Sequence, residues 1–305
     1  MMRITNSQIT SMMHNSMNAS SAELGKLMQQ MATGKRILLP SDDPIASVRV
    51  LRVQREEASL EQFRKNIANV SGSLSTQEAN LKSSSDAMLN VRDLLLWAAN
   101  GSNTSEDLSA MAGELSIIED TIFSFANVRD EEGRYLFSGT LSDTPALSFD
   151  AATQTYSLTG NDKHRQAAVA NGVLVDENVT AASVYGAGVG MLNQLRDLIN
   201  TLQDPALDVT DPAVRQQITA TLDALDETHG RVLGSITELG GRQNALTLLN
   251  DSNEDVSLVN QKIEGELSRL DYAGATIDLN DYQLALGATQ KTYLKINQMS
   301  LFSLL

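Results

Sequence analysis

The chain has 305 residues, with 23 Lys plus Arg against 38 Asp plus Glu and a formal net charge of −15. That balance excludes a binder that works by neutralising nucleic-acid phosphates. The absence of cysteine excludes disulfides and thiolate metal sites, and no run approaches the ~18 apolar residues of a membrane-spanning helix.

Aromatics make up only 4% of the chain, too few for a large compact core of the enzyme type. The charge is also uneven. Residues 1–36 carry Arg3, Lys26, Lys35 and Arg36 against Glu23 alone, whereas residues 272–305 balance Lys291 and Lys295 against Asp278 and Asp281. The surplus acid sits between the two ends. The start, Met-Met-Arg-Ile-Thr-Asn-Ser-Gln, has none of the apolar stretch of a cleaved secretory signal.

The first predicted element is an amphipathic helix over residues 5–33. Ile9, Met13, Met17, Leu24, Leu27 and Met31 recur on one face, and Gly34 supplies the C-cap. In the following Leu39-Pro40-Ser41-Asp42-Asp43-Pro44, Pro40 pushes Leu39 out of helical geometry. Asp43 is placed to cap the next helix, with Pro44 at its first position. That helix is predicted over 44–99. It carries a heptad ladder of Val53, Leu60, Ile67, Leu74, Leu81, Met88 and Leu95, interleaved with Phe63, Val70, Gln77, Ser84 and Val91. Such a 3.5-residue repeat specifies helices packed side by side along a narrow seam, and Trp97 is expected to close it by packing. Another helix is predicted over 105–129.

Between 134 and 185 the pattern alternates, with turn signals at Thr159-Gly160-Asn161-Asp162 and a tight hairpin at Asn171-Gly172. A small β domain is expected there, with helix returning at 191–203. A second long helix over 212–271 carries its own ladder: Leu239, Leu246, Leu249, Val256, Ile263, Leu267, Leu270 and Ile277, with Asn253 and Asn260 on its steps and a break possible at Gly240-Gly241. The two asparagines either fix helix register or face solvent. A final helix over 276–300 places Tyr282, Leu286, Tyr293 and Ile296 on one face, and the chain ends Ser300-Leu301-Phe302-Ser303-Leu304-Leu305.

Motifs suggesting chemistry have simpler readings. Asp42 and Asp43 before Pro44 read as a cap, not an acid–base pair. Thr33-Gly34-Lys35 is not a phosphate loop, since Gln29 and Arg36 stand where that loop needs Gly and Ser/Thr. The glycines at 186, 188 and 190 read as a re-entry into helix. His14, His164 and His229 lack metal-ligand spacing. No catalytic, cofactor or metal site is expected.

The segment Thr33-Gly34-Lys35-Arg36-Ile37-Leu38-Leu39-Pro40-Ser41-Asp42-Asp43-Pro44 resembles the N-terminal signature of the flagellin superfamily. Its Gly-Lys-Arg start and two prolines look like the hook–filament junction proteins within it. Asn127-Val128-Arg129-Asp130 and Gly133-Arg134-Tyr135-Leu136-Phe137-Ser138-Gly139-Thr140 are similar to that family's entry into its β domain. Gly241-Arg242-Gln243-Asn244, Ser268-Arg269-Leu270-Asp271-Tyr272-Ala273 and Ser300-Leu301-Phe302 are similar to its C-terminal part.

The expected fold is therefore mainly α with an inserted small β domain: an elongated, flagellin-like coiled-coil rod with terminal helices. The expected segments are an N-terminal assembly leg (1–43), two rod halves (44–133 and 189–271), the β insertion (134–188) and a C-terminal leg (272–305). Both legs are expected to be disordered in a monomer and to fold when subunits pack. The expected assembly contacts are Ile9, Met13, Met17, Leu24, Leu27, Met31, Tyr282, Leu286, Tyr293, Ile296, Leu301 and Phe302. The resemblance implies a ring between hook and filament, with self-association and contacts to a neighbouring hook-associated protein and to flagellin. It further implies type III export in an unfolded state without a cleaved signal, an export chaperone on the C-terminal leg, and an extracellular place on the flagellum. A short flagellin, an enzyme or an adhesin-like role housed in the β domain are the alternatives.

Overall fold

The computed structural model describes the backbone of residues 6–302 and the side chains of residues 8–296. In chain order the helices and strands are α1 (Asn6–Thr33), α2 (Pro44–Ala98), α3 (Ser105–Ala126), β1 (Leu147–Asp150), β2 (Thr155–Leu158), β3 (Gln166–Ala170), β4 (Val173–Asp176), α4 (Ala181–Tyr185), α5 (Gly190–Leu202), α6 (Pro212–Ser268) and α7 (Tyr272–Phe302). The chain divides into two compact units, a terminal one made of residues up to 59 and from 255 onward, and a central one of residues 60–254. The boundaries fall inside α2 and α6.

In the central unit the first ladder becomes the core. Leu60, Ile67, Val70, Leu74, Leu81, Met88, Val91 and Leu95 are all buried, as a sustained heptad requires. The facing seam on α6 runs through Ile218, Leu225, Val232, Leu239 and Leu246. α3 begins with a reciprocal cap between Thr104 and Asp107 and contributes Leu108, Leu115 and Ile122 to the same core.

The β insertion consists of two separate antiparallel hairpins, β1 with β2 and β3 with β4. A two-stranded hairpin is marginal by itself, and each one here is fastened to a helix. Asn193 of α5 exchanges two hydrogen bonds with the Tyr156 backbone, accepting from its N–H at 2.6 Å and donating to its carbonyl at 3.0 Å. Asn66 of α2 donates to the Ala168 carbonyl at 2.7 Å, and Asn253 of α6 donates to that of Val169 at 3.3 Å. The β3–β4 turn at Asn171-Gly172 uses Gly172 at φ +74°, where a residue without Cβ is favoured. Its tip is exposed.

The polar steps of the ladder are docking points. Gln77 is fully buried; its amide donates to the Glu177 carbonyl at 2.9 Å and its carbonyl accepts from Val179 N–H at 2.9 Å. Ser84, also buried, shares a hydrogen bond of 3.2 Å with the Tyr185 hydroxyl, whose proton burial holds up to a pKa of about 12.

Several expectations need correction. Trp97 is exposed instead of closing the ladder; Leu95 and Ala98 hold the seam, and the indole points away from it. α6 runs unbroken through Gly240-Gly241, because neighbouring turns keep its hydrogen bonds and its seam. Val256, Ile263 and Ile277 are exposed. The seven-residue steps Leu239, Leu246, Asn253 and Asn260 stay buried, but after Asn253 the interleaved buried position falls four residues on, at Ser257, and not three, which leaves Val256 and Ile263 outside the seam. Asn253 and Asn260 are both buried, which removes the solvent-facing reading. α7 begins at Tyr272, four residues earlier than its periodicity suggests.

Glu119 on α3 is buried and paired with Arg196 on α5 at 2.5 Å. Arg196 also donates to the Tyr156 hydroxyl at 3.1 Å and lies over the Phe149 ring. Burial pushes the Glu119 carboxyl up to about 7 against the opposing pull of the guanidinium. The folded state therefore holds this proton more tightly than the unfolded chain does. The associated stability is complete below the ordinary carboxylate value of 4.5 and is lost as pH rises through about 7. Urea unfolding should show a decline on the order of 2 kcal/mol between pH 5 and 8 that is absent in Glu119→Gln; matching slopes in the two proteins would refute the assignment. Gln77→Ala, which leaves Glu177 and Val179 without their partner, should lower stability by about 1–3 kcal/mol in the same assay.

Candidate assembly interface

In the terminal unit the helices are interrupted twice, over residues 34–43 and over 269–271, and the two interruptions pair with each other. Gly34 adopts φ +69° and ends α1 in the left-handed conformation that glycine favours. Its carbonyl accepts from Leu270 N–H at 3.0 Å, Arg36 N–H donates to the Ser268 carbonyl at 2.7 Å, and Lys35 bridges Arg269 in antiparallel fashion. The backbone groups that each helix end leaves open are thereby satisfied by the other end.

Side chains reinforce this joint. The Arg36 guanidinium donates to the Leu267 carbonyl at 3.2 Å and to Asp43 Oδ2 at 3.1 Å. The Tyr272 hydroxyl donates to the Met31 carbonyl at 3.0 Å. Asp42 Oδ2 accepts from the N–H groups of Leu38 and Leu39, both at 2.9 Å, while its Oδ1 meets Lys26 Nζ at 2.9 Å. The Leu39 N–H, followed by Lys26 and the Leu38 N–H, holds the Asp42 carboxyl down at about 2. Asp43 Oδ1 accepts from Ala46 N–H at 3.0 Å and caps α2. Both aspartates are therefore fully engaged in turn and cap geometry.

From the joint, α1 and α7 run back antiparallel against each other. Leu27, Leu270 and Ala275 form a small buried cluster with Met31, Leu279 and Tyr282 around it. Farther along, His14 and Tyr293 share a hydrogen bond of 3.3 Å, with their rings edge to face at 5.0 Å. Of the expected assembly contacts, Leu27 is buried, and Ile9, Met13, Met17, Leu24 and Met31 on α1 are half-buried. Tyr282, Leu286, Tyr293 and Ile296 on α7 are half-buried as well. The structure brings the two stripes together within one chain. Leu301 and Phe302 lie outside the described side chains.

The joint was not foreseen as a contact between the two ends. The signal was available: Gly34 and Asp271 each mark a helix boundary, and Asp271 Oδ1 accepts from Ala273 N–H at 3.1 Å at the start of α7. His229 and His164 are also satisfied, by Ser85 Oγ at 2.8 Å and the Asn178 carbonyl at 2.9 Å. Replacing Gly34 by Ala would force a side chain into the left-handed region, with its Cβ 3.2 Å from the Tyr272 hydroxyl. Hydrogen exchange should then show α1 and α7 losing protection together, by about tenfold or more, with α3 and α5 unchanged. Independent behaviour of α1 and α7 would contradict the paired joint.

The bacterial flagellin N-terminal helical region family matches residues 4–142. A solved structure assigned as a flagellar hook-associated protein from Vibrio parahaemolyticus is 40% identical, covers 75% of this chain and 100% of that one, and superposes with a TM-score of 0.69. The flagellar hook-associated protein 3 of Salmonella typhimurium is 27% identical over 99% of both chains. The B-type flagellin of Pseudomonas aeruginosa, at 28% identity, matches only 46% of this chain and 28% of its own length. Matched over three quarters of its length at 40% identity by a hook-associated protein and only in part by a flagellin, the chain belongs to the flagellar hook-associated protein family.

Proposed function

We propose that this protein is a structural subunit of the bacterial flagellum that forms the junction ring between hook and filament. The observation that carries this reading is the near-complete match to a hook-associated protein, joined to a terminal unit built for packing. α1 and α7 meet in one antiparallel helix pair whose buried cluster, among the described residues, is Leu27, Leu270 and Ala275. So thin a core leaves α1 and α7 weakly stabilised in a lone chain, and neighbouring copies supply the missing burial. Assembly is the activity, and the terminal helices are its interface.

In this reading one rim of the ring meets another hook-associated protein and the other rim templates flagellin. The chain leaves the cell unfolded without a cleaved signal, and a cytosolic chaperone covers the C-terminal helix until export. Weakly held terminal helices suit both steps, since they unfold readily and offer an amphipathic segment to a groove.

Removal of residues 1–43 and 272–305 should leave a soluble, folded protein that fails to restore filaments in cells lacking the full chain. Electron microscopy of those cells should show bare hooks, with flagellin shed into the medium. Filaments growing from hooks that carry the truncated protein would overturn the assignment of assembly to the terminal helices. Seeded growth of the purified full chain into long filaments would favour a flagellin instead.

A further inference from the structure

The chain holds two Asn-Gly pairs, Asn100-Gly101 and Asn171-Gly172, and Asn followed by Gly is chemically labile. The Gly nitrogen can attack the Asn side-chain carbon Cγ, because the following residue has no Cβ to stand in the way. The new N–Cγ bond closes a five-membered succinimide, the old Cγ–N bond breaks, and the Gly N–H proton leaves with the amide as ammonia. Water then opens the ring at one carbonyl to give Asp or at the other to give isoaspartate. No enzyme or cofactor is required, but the Asn amide and the Gly nitrogen must be free to meet.

The two pairs differ in that freedom. Asn100 lies just past the end of α2 and is pinned on both sides: its N–H donates to the Trp97 carbonyl at 3.1 Å and its carbonyl accepts from Asn103 N–H at 3.4 Å. The Asn103 side chain closes over the same turn, donating to the Trp97 carbonyl at 2.7 Å. Gly101 lies against the Arg215 guanidinium, which an added Cβ would meet at 2.9 Å. Turning the peptide between Asn100 and Gly101 toward the side chain disturbs these contacts.

Asn171 and Gly172 form the exposed tip of the β3–β4 hairpin. Among the described residues neither the Asn171 amide nor the Gly172 N–H has a hydrogen-bond partner, and a Cβ added to Gly172 would meet nothing within 4 Å. The anchors supplied by Asn66 and Asn253 hold Ala168 and Val169, below the tip. Between Ala168 and Ala170 the strand pairing is already irregular, so the turn can rotate without loosening the hairpin.

We propose that Asn171 is a site of spontaneous deamidation, and that the ageing protein accumulates Asp and isoaspartate at this tip. Each conversion adds one negative charge, and isoaspartate also lengthens the backbone there by a methylene. Because the anchoring bonds lie below the tip, the modified chain keeps its fold.

The test ages the purified full-length chain in warm neutral buffer. Peptide mass spectrometry should show the amide-to-acid mass gain at Asn171 about tenfold or more faster than at Asn100, with isoaspartate distinguished from Asp by electron-transfer fragmentation. The rate should climb toward mildly alkaline pH, since the attacking nitrogen must lose its proton. In concentrated urea, where the turn around Asn100 is undone, the two sites should react at similar rates. Asn171→Gln, whose longer side chain closes a ring far less readily, should stay unmodified with an unchanged circular-dichroism spectrum. Equal rates at the two sites in the folded chain, or an intact Asn171 there while the unfolded chain converts, would overturn the proposal.

Discussion

The terminal unit depends on the pairing of two helix interruptions. Gly34 to Arg36 and Ser268 to Leu270 hydrogen-bond to each other across more than 230 residues of chain. Without that exchange, two long helices would end in unsatisfied carbonyls and N–H groups, and α1 and α7 would have no fixed register. With it, Met31 meets Tyr272 and His14 meets Tyr293, and the apolar stripes face each other along their length. The signature that links this chain to its family is thus a mechanical part. Gly34 makes the turn, Arg36 straps the end of α6, Asp42 gathers Lys26 with two backbone N–H groups, and Asp43 starts α2.

The central unit is organised differently. Its seam is apolar over most of its length, and its few polar members are where the insertion attaches. Gln77 and Ser84 on α2 and Asn253 on α6 each lie on a heptad step, and each bonds to a segment between residues 169 and 185. A hairpin too small to fold by itself gains its position from these contacts. Glu119, Arg196 and Tyr156 perform the same service for β1 and β2, with the added property that their charge state depends on pH.

Much of this was legible in the sequence. The first ladder, the Gly34 stop, the Asp43-Pro44 start and the Asn171-Gly172 turn each have a local cause, and each stands where the pattern puts it. What was hidden depends on partners. Periodicity identifies the apolar side of a helix but not what covers it, so the packing of the α1 and α7 stripes against each other within one chain was not visible. Trp97 looked like core because it is large, although Leu95 and Ala98 already complete the seam. Gln77 stands among the interleaved steps of the first ladder, but its docking role was hidden because its two bonding partners lie about 100 residues away. Beyond Asn253 the interleaved buried position shifts by one residue, from Val256 to Ser257, and nothing in the side chains of Val256 and Ile263 announces it.

The β3–β4 hairpin also suggests a practical use. Its register is held below the tip by Asn66, Asn253 and Gln77, while Asn171, Gly172 and Leu174 reach into solvent. A foreign peptide grafted at that tip would leave the anchoring bonds untouched. On the junction ring proposed above, such a graft would be displayed once per subunit, as a multivalent array at the hook–filament boundary.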